Sequence, residues 1–448
     1  MGKTFRNYYF VRGNKSMFKK ILETFLSKGL VVIISLGTLL LTTHNLGAEG
    51  RGDISIITTM VGLMGLVNGF MGGATLVYLM PRYRNRQFFT QAIFFSLLWA
   101  SLVCILGTAL FKYGYQLQLN YWKYVLCLGL LTCIYSFLLV LILSNEEILI
   151  YNIIGVLQPS LNFIFFTGSV LHGYADVNTF IYCLSLSYIC ALLIEIIIVK
   201  KIGIRLEKNQ EKMSPIQTMK EMVSLGSIAQ LGNVIQYLNY RFSYFIINVY
   251  IGASGVGIYS VGVSIAESVW ILAQSISLVQ YSTIANTEDE TYAIKITIKL
   301  AKISFIVTLV IILGIVFLPE FIFELVFGNE FAQVKTVLMY LSPGIVFFGF
   351  GIILSHYFAG KGQYYVNTTA ALIGLIVSIP GCFLMIPLFG YLGAAVTASL
   401  SYFIIAIFQL GVFMRGTKIK LSNFKFNVKD WQEIKRKYME AKSNIFRD

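Results

Sequence analysis

The sequence predicts an all-α, polytopic membrane protein with twelve transmembrane helices in two six-helix lobes. Three observations support this fold class. Hydrophobic residues make up 57% of the chain and charged residues only 12%, whereas soluble domains have about a quarter charged residues. The apolar residues fall into twelve separate runs, and the basic residues collect in alternate connections between those runs.

Each apolar run is long enough to cross a bilayer, which takes roughly 20 residues in a helix. The first six runs cover about residues 20–43, 54–79, 89–111, 121–143, 149–171 and 178–199. The second six cover about residues 223–250, 256–284, 296–318, 332–358, 364–386 and 391–414. We refer to these predicted segments as spans 1 to 12.

The distribution of basic residues predicts the orientation of the spans. With the N-terminus in the cytoplasm, 28 of the 35 Lys and Arg residues fall in or beside cytoplasmic connections, and four fall in or beside outside ones. Cytoplasmic loops of membrane proteins carry this excess. The sequence therefore predicts a multi-pass cell-membrane protein with both termini in the cytoplasm. The net charge of +14 then points to anionic lipid at the cytoplasmic face rather than to nucleic acid.

A glycine-rich turn occurs twice, as "LGAEGRGDIS" at 46–55 and "IGASGVGIYS" at 251–260. Five of the ten positions are identical, and each copy follows an odd-numbered span. Six spans separate the copies, so the halves have the same orientation and form a parallel repeat about a pseudo-two-fold axis along the membrane normal. The predicted segments are a cytoplasmic N-terminal segment (1–19), the first lobe (20–199), a basic cytoplasmic linker (200–222), the second lobe (223–414) and a basic amphipathic cytoplasmic tail (415–448).

Lys28, Arg241 and Glu267 are the ionisable residues placed well inside predicted spans. Charged groups in a bilayer are costly and are usually functional. Glu23, Glu195 and Lys302 lie near predicted cytoplasmic ends, where snorkelling to the interface explains them.

Polar residues surround the three central charges at helical spacing, within arcs of about 80–100°. These stripes are Thr24, Lys28, Ser35, Thr38 and Thr42 on span 1; Gln230, Asn233, Tyr237, Arg241, Tyr244 and Asn248 on span 7; and Ser260, Ser264, Glu267, Gln274 and Tyr281 on span 8. Two interpretations remain open. The stripes are helix-packing contacts with an Arg241–Glu267 ion pair, or they line a water-filled cavity between the lobes.

Three segments resemble the polysaccharide flippases of the multidrug/oligosaccharidyl-lipid/polysaccharide exporter superfamily: residues 46–55, "NYRFSYFIINVYIGASGVGIYSVGVSIAESVW" (239–270) and "AGKGQYYVNTTAALIGLIVSIPGCFLMIPLFGYLGAAVTASLSY" (359–402). The resemblance covers most of residues 20–415. It implies two six-helix lobes around a central cavity lined by helices 1, 2, 7 and 8. It further implies a flippase that moves undecaprenyl-pyrophosphate-linked sugars by alternating access, for a surface polysaccharide such as O-antigen or capsule.

On this reading Lys28 and Arg241 are the cavity cations that meet the pyrophosphate. The other candidate substrate-binding residues are Gln230, Asn233, Tyr237, Tyr244, Asn248 and Gln274. Glu267 has two possible roles, as the ion-pair partner of Arg241 or as a coupling site that titrates. We expect neither a cofactor nor a metal, because the Cys and His residues lack metal-site spacing. Transport would couple to a proton or sodium gradient or to the membrane potential, and the protein would act as a monomer.

Two other functions remain open. A cation-coupled multidrug or small-solute exporter of the same superfamily would carry an acidic site within a lobe, and spans 2–5 contain no internal carboxylate. A membrane glycan polymerase, the enzyme alternative, would carry a long outside loop, and the longest outside connections are about 112–120 and 319–331. In the tail, Trp431, Ile434, Tyr438 and Ile445 have the spacing of an amphipathic helix on an anionic membrane surface.

Overall fold

The computed structural model describes residues 2–424 except 81–85, 115–120, 146, 206–213, 286 and 288. Twelve α-helices dominate the described residues, with short 3-10 turns at Asn329–Phe331 and Leu421–Phe424. The helices are α1 (Gly2–Gly72), α2 (Ala74–Leu79), α3 (Arg86–Gly114), α4 (Trp122–Ser144), α5 (Ile148–Leu171), α6 (Val177–Arg205), α7 (Pro215–Tyr250), α8 (Ala253–Ala285), α9 (Glu290–Val316), α10 (Glu320–Phe327), α11 (Val334–Gly360) and α12 (Tyr364–Thr417).

The described helices provide the twelve predicted crossings. Nine of them are long and apolar enough to cross a membrane. Two of the nine, α1 and α12, are long enough to cross twice at about 1.5 Å per residue, and each kinks at a glycine with positive φ, Gly47 (65°) and Gly390 (62°). The twelfth crossing is α7, whose 36 residues carry the polar stripe that lowers its hydropathy. Spans 1 and 2, and likewise 11 and 12, are therefore joined by kinks rather than by loops.

The two halves of the chain form two lobes. The first contains α1 and α3–α6, and the second contains α7–α9, α11 and α12. The kink at Gly47 divides α1 into a first arm and a second arm. Contacts of α1 with α7 and α8 join the lobes. Because α1 begins at Gly2, residues 2–19 of the predicted N-terminal segment are the start of this helix.

Apolar packing differs between the two ends of the bundle. At the end that holds the Gly47 kink and the α7–α8 turn, one core cluster combines both lobes, with Met60, Tyr259 and Leu338 among its buried members. We call this the closed end. At the opposite end, where α7 begins and α8 terminates, there are two separate clusters. One lies within residues 71–222 and joins the first lobe to Met222 at the start of α7, and the other lies within residues 284–413. We call this the open end.

The repeated glycine turn forms the contact at the closed end. Gly47 and Gly252 are its two positive-φ positions, at 65° and 95°. A Cβ on Gly52 would collide with the carbonyl oxygen of Ala253, and a Cβ on Gly257 would collide with that of Ala48. The hydroxyl of Ser55 donates to that of Ser260 at 2.9 Å. The contact is reciprocal, because each partner is the repeat equivalent of the other, and the pseudo-two-fold axis passes through it.

Several predicted features lie outside the described residues. These are the tail beyond residue 424, including its four apolar positions, residues 206–213 of the linker, and residues 81–85 between spans 2 and 3. Among the described residues, the tail begins with the end of α12 at Thr417 and the turn Leu421–Phe424.

Candidate binding cavity

A cavity of about 1160 Å³ lies between the lobes towards the open end. The first arm of α1, together with α5, α7, α8, α11 and α12, contributes most of its lining. Asn152 of α5 donates to the hydroxyl of Thr24 at 2.9 Å, which joins two of these helices at its wall. The second arm of α1 (span 2) contributes no described lining residue. The expectation that helix 2 lines the cavity is therefore wrong, because that arm packs against α7 through Thr59 and against α8 through Ser55.

The cavity lining is basic. Lys28 of α1 and His356 of α11 both line it, and none of its described lining residues is acidic. The Lys28 side chain is exposed within the cavity. His356 sits across from it on the second lobe, with its Nδ1 2.9 Å from the carbonyl oxygen of Ile352. Such a surface attracts an anion, and Lys28 and the His356 imidazole would approach it from different lobes.

Amides and aromatic rings form the remaining polar surface of the cavity. Gln274 of α8 is exposed in it, and Asn233 and Gln236 face it from α7. On the second lobe, the Gln409 amide donates to the Asn367 side-chain oxygen at 3.2 Å. Aromatic lining residues are Tyr151, Tyr240 and Tyr364, with Phe25 and Phe348. Groups of this kind hydrogen-bond and stack against polar rings.

Three of the predicted site residues line the cavity, namely Lys28, Asn233 and Gln274. Gln230 is buried behind it, against Gly69 and Gly73, and its Oε1 accepts from Asn233 Nδ2 at 2.9 Å. Tyr237 donates to the carbonyl oxygen of Thr59 at 3.0 Å. These two side chains support the cavity wall and join α7 to the second arm of α1.

The remaining predicted site residues, Arg241, Tyr244, Asn248 and Glu267, are not among the lining residues. Arg241 and Glu267 form a two-point ion pair with N–O distances of 2.8 and 2.9 Å. Arg241 also donates to the Tyr244 hydroxyl at 3.3 Å. Tyr244 is buried and Asn248 is partly exposed near the end of α7. Because α7 runs from the open to the closed end, the pair lies deeper than Asn233, towards the closed end.

Glu195 differs from its sequence expectation. It was expected to snorkel from a helix end, but the structure leaves it 0% exposed within the first lobe. Neither of its carboxylate oxygens has a hydrogen-bond partner among the described residues. The cause is the packing of α6 against α4 and α5, which covers the face that carries Ser187, Ala191 and Glu195. The first lobe therefore contains an internal carboxylate after all, in span 6.

Sequence reasoning missed several lining residues, above all His356 and the Asn367–Gln409 pair. His356 was set aside because the three histidines are far apart in the chain, which argues only against a metal site. A His in the middle of an apolar run is itself a signal, because ionisable residues in spans are rare. The amides of α12 give no such signal, since they are close to the end of a span.

A comparison with protein families identifies the chain's relatives. The family described as "Polysaccharide biosynthesis protein" matches residues 52–336. The chain is 34% identical over 113 residues to the capsular polysaccharide biosynthesis protein CapF of Staphylococcus aureus, which is 25% of this chain and 28% of CapF. It is 31% identical over 94 residues to the uncharacterized membrane protein MJ1068 of Methanocaldococcus jannaschii, 21% of this chain and 18% of that protein. These matches thus span less than a third of either relative.

Solved structures share the fold over most of both chains. The lipid II flippase MurJ in an inward closed conformation superposes with a TM-score of 0.69, at 16% identity, over 91% of this chain and 89% of MurJ. An inward-facing multidrug resistance MATE family transporter of the MOP superfamily gives a TM-score of 0.63, at 15% identity, over 86% and 94%. The Vibrio cholerae MATE transporter VcmN gives 0.62, at 13% identity, over 92% and 98%. The chain belongs to the polysaccharide biosynthesis protein family and is a multi-pass membrane protein with the two-lobe fold of the flippases and transporters of the MOP superfamily.

Proposed function

We propose that the protein flips undecaprenyl-pyrophosphate-linked oligosaccharide repeat units from the inner to the outer leaflet of a bacterial cell membrane, for a surface polysaccharide such as O-antigen or capsule. It acts as a transporter rather than an enzyme, as a monomer, by alternating access. Both termini lie in the cytoplasm, so the open end faces the cytoplasm, and its basic connections meet anionic lipid.

The charge of the cavity is the observation that carries this proposal. Its described lining combines Lys28 and His356 with no acidic residue. An ammonium group forms charge-assisted hydrogen bonds with a pyrophosphate, about twice as strong as neutral ones. The cavity's volume of about 1160 Å³ exceeds the roughly 300–1,000 Å³ of sites for drug-sized ligands. The cavity thus suits an anionic group attached to a bulky polar one.

Within this cavity the residues divide the work by chemistry. Lys28 holds the pyrophosphate, while Asn233, Gln274 and the tyrosines of the wall contact the sugars. Arg241 and Glu267 neutralise each other beyond the cavity, which keeps the local charge low where the lobes meet. We propose that the pair opens when the closed end separates and that Arg241 then becomes the second cation on the substrate's path.

A cation-coupled exporter of the same superfamily is a second candidate, favoured by the buried carboxylate of Glu195. A carboxylate without a partner is costly in a dry interior, and an internal acidic residue is the feature this alternative requires. The lack of acidic lining residues in the described cavity argues against cationic cargo. If Glu195 serves coupling in either transporter, Glu195→Gln removes the dependence of transport on a proton or sodium gradient while cargo binding persists.

The direct test is a flipping assay in proteoliposomes with fluorescent undecaprenyl-pyrophosphate oligosaccharide. Lys28→Ala is expected to abolish flipping and to weaken cargo binding about tenfold or more, as the loss of a charged hydrogen bond worth roughly 1.5–3 kcal/mol implies. The matched control is Lys200→Ala, which removes an exposed lysine of α6 outside the cavity. Normal flipping by Lys28→Ala contradicts the proposal.

A further inference from the structure

A second depression adjoins the interlobe cavity on the first lobe. It lies between the first arm of α1 and α5 and has a volume of about 520 Å³. Its walls are mainly aliphatic, with Leu26 and Leu30 on α1 facing Leu149 and Ile153 on α5. Its polar lining residues are Glu23, Ser27, Asn152 and Ser160. We call this depression the α1–α5 groove. The four aliphatic side chains are partly or largely exposed, from 46% for Leu30 to 60% for Leu26, so the groove is open to the membrane.

The groove and the cavity are adjacent. Ser27, Asn152 and Val156 line both of them. Along the first arm of α1, successive residues are about 100° apart. Lys28 therefore points into the cavity, Leu26 and Leu30 point into the groove, and Ser27 lies on the boundary between the two faces. The first arm of α1 therefore presents Lys28 to the cavity on one face and Leu26 and Leu30 to the groove on the nearly opposite face.

The same division holds on α5. Tyr151 and Gly155 line only the cavity, whereas Leu149 and Ile153 line only the groove. Asn152 occupies the boundary and donates to Thr24 of α1 at 2.9 Å. This hydrogen bond and two shared residues are what separate the polar space from the apolar one. A molecule with a charged head and an apolar tail can therefore place its head in the cavity and its tail in the adjacent groove.

We infer that the α1–α5 groove holds the polyprenyl chain of the lipid-linked cargo while its pyrophosphate lies at Lys28. The inference rests on the proposed function and adds a tail site to it. The occupant is an isoprenoid hydrocarbon because the groove is mainly aliphatic and begins one residue from the cavity's lysine. Burial of apolar surface stabilises the tail there, and the tail leaves the protein within the first lobe rather than between the lobes.

Photocrosslinking tests the tail site directly. Benzoylphenylalanine replaces Leu30 or Ile153 in the full-length protein, reconstituted in phosphatidylethanolamine–phosphatidylglycerol vesicles with tritiated undecaprenyl pyrophosphate. The control position is Ile105 of α3, which is 60% exposed on a helix that does not line the cavity. We expect tritium on the variants at 30 and 153, competition by unlabelled undecaprenyl pyrophosphate, and loss of this labelling when Lys28→Ala is added.

Equal labelling at positions 30, 153 and 105 would overturn the inference, as would labelling at 30 and 153 by tritiated phosphatidylglycerol that undecaprenyl pyrophosphate does not displace. Binding of inorganic pyrophosphate to the unmodified protein, lost in Lys28→Ala, tests the head site separately. If pyrophosphate binds but positions 30 and 153 stay unlabelled, only the tail site is wrong. If neither probe binds, the proposed function fails.

A filling substitution gives a second measurement that does not depend on the photoreactive residue. Leu30→Trp and Ile153→Trp enlarge side chains inside the groove, and Ile105→Trp does so on a lipid-facing helix. The first two are expected to abolish flipping and leave binding of inorganic pyrophosphate unchanged, whereas Ile105→Trp flips normally. Normal flipping by both groove variants contradicts a tail site between α1 and α5.

Discussion

The closed and open ends of the interlobe interface are built by opposite means. At the closed end, backbone meets backbone through Gly52 and Gly257, and a single core cluster joins the lobes. At the open end there are two separate apolar clusters, and a polar, basic cavity lies between the lobes. The comparison shows that the lobes pack together where small residues permit close approach of their backbones. They stay apart where polar and basic side chains, such as Lys28, need solvent around them.

The ion pair between the two ends gives the largest expected loss of stability. Glu267→Gln leaves Arg241 without its partner at a partly buried site, 21% exposed. Removing one member of a buried pair costs about 3–5 kcal/mol, and partial exposure puts the expected value near the low limit. Thermal unfolding in detergent measures the loss, and Arg241→Gln added to Glu267→Gln is expected to recover most of it.

The outcome also separates the two roles of Glu267. If Glu267→Gln unfolds at the original temperature while transport loses its dependence on the pH gradient, then Glu267 is a coupling site and the structural role of the pair is wrong.

Adding side-chain atoms at the glycine contact between α1 and α8 is expected to weaken the closed end directly. Gly52→Ala and Gly257→Ala each place a Cβ on a backbone carbonyl of the other lobe, and overpacking of this kind costs about 1–3 kcal/mol. Because the contact is symmetric, we expect the two variants to lower the unfolding temperature by similar amounts. Gly314→Ala, where a Cβ meets nothing within 4 Å, is the control and is expected to keep or raise it.

A markedly unequal effect of Gly52→Ala and Gly257→Ala would show that the crossing does not lie on the pseudo-two-fold axis.

An exposed carboxylate stabilises the closed end more weakly. Glu330, in the connection after α10, accepts the backbone N–H of Ala48 at 2.6 Å, just beyond the Gly47 kink where the second arm of α1 begins. A negative charge at a helix N-terminus contributes about 0.3–1 kcal/mol. Glu330→Gln is therefore expected to lower the unfolding free energy by no more than that, in a salt-dependent way. Glu324→Gln on α10 is the matched control, and equal losses in both variants argue against a specific contact.

The orientation of the two ends can be tested without any expected change in stability. In a background without the six native cysteines, Glu49→Cys and Ser254→Cys at the closed end should react with an impermeant thiol reagent in intact cells. Asn85→Cys and Gln210→Cys should react only after permeabilisation. Labelling of position 210 in intact cells would contradict an open end that faces the cytoplasm.

The closed end could be predicted from the sequence more fully than the cavity. Close approach of two backbones requires glycine at the point of contact. The repeated glycines of 46–55 and 251–260 therefore indicate, from the sequence alone, where α1 and α8 meet. The cavity depends instead on how six helices are rotated about their axes relative to one another. The sequence pattern of a single helix does not predict that rotation. Lys28 was identified from its depth, but His356 and Gln409 face it only because α11 and α12 turn those sides inwards.

Arg241 and Glu195 show the same limit. The sequence left two roles open for Arg241, as a cavity cation or as the ion-pair partner of Glu267, and the structure pairs the two side chains. Glu195 lies near the end of a span, which predicts snorkelling, yet neighbouring helices cover it completely. In both cases the packing of neighbouring helices decides the outcome, and no periodicity within one helix shows how its neighbours pack.

Alternating access requires the closed end to separate during transport, and a disulfide at the pseudo-two-fold axis tests this most directly. Ser55 and Ser260 have their hydroxyl oxygens 2.9 Å apart, so Ser55→Cys with Ser260→Cys, in the background without native cysteines, places two thiols in contact. We predict that the oxidised protein still binds inorganic pyrophosphate but does not flip cargo, and that dithiothreitol restores flipping, whereas each single variant flips under both conditions. Full flipping by the crosslinked protein would contradict the account.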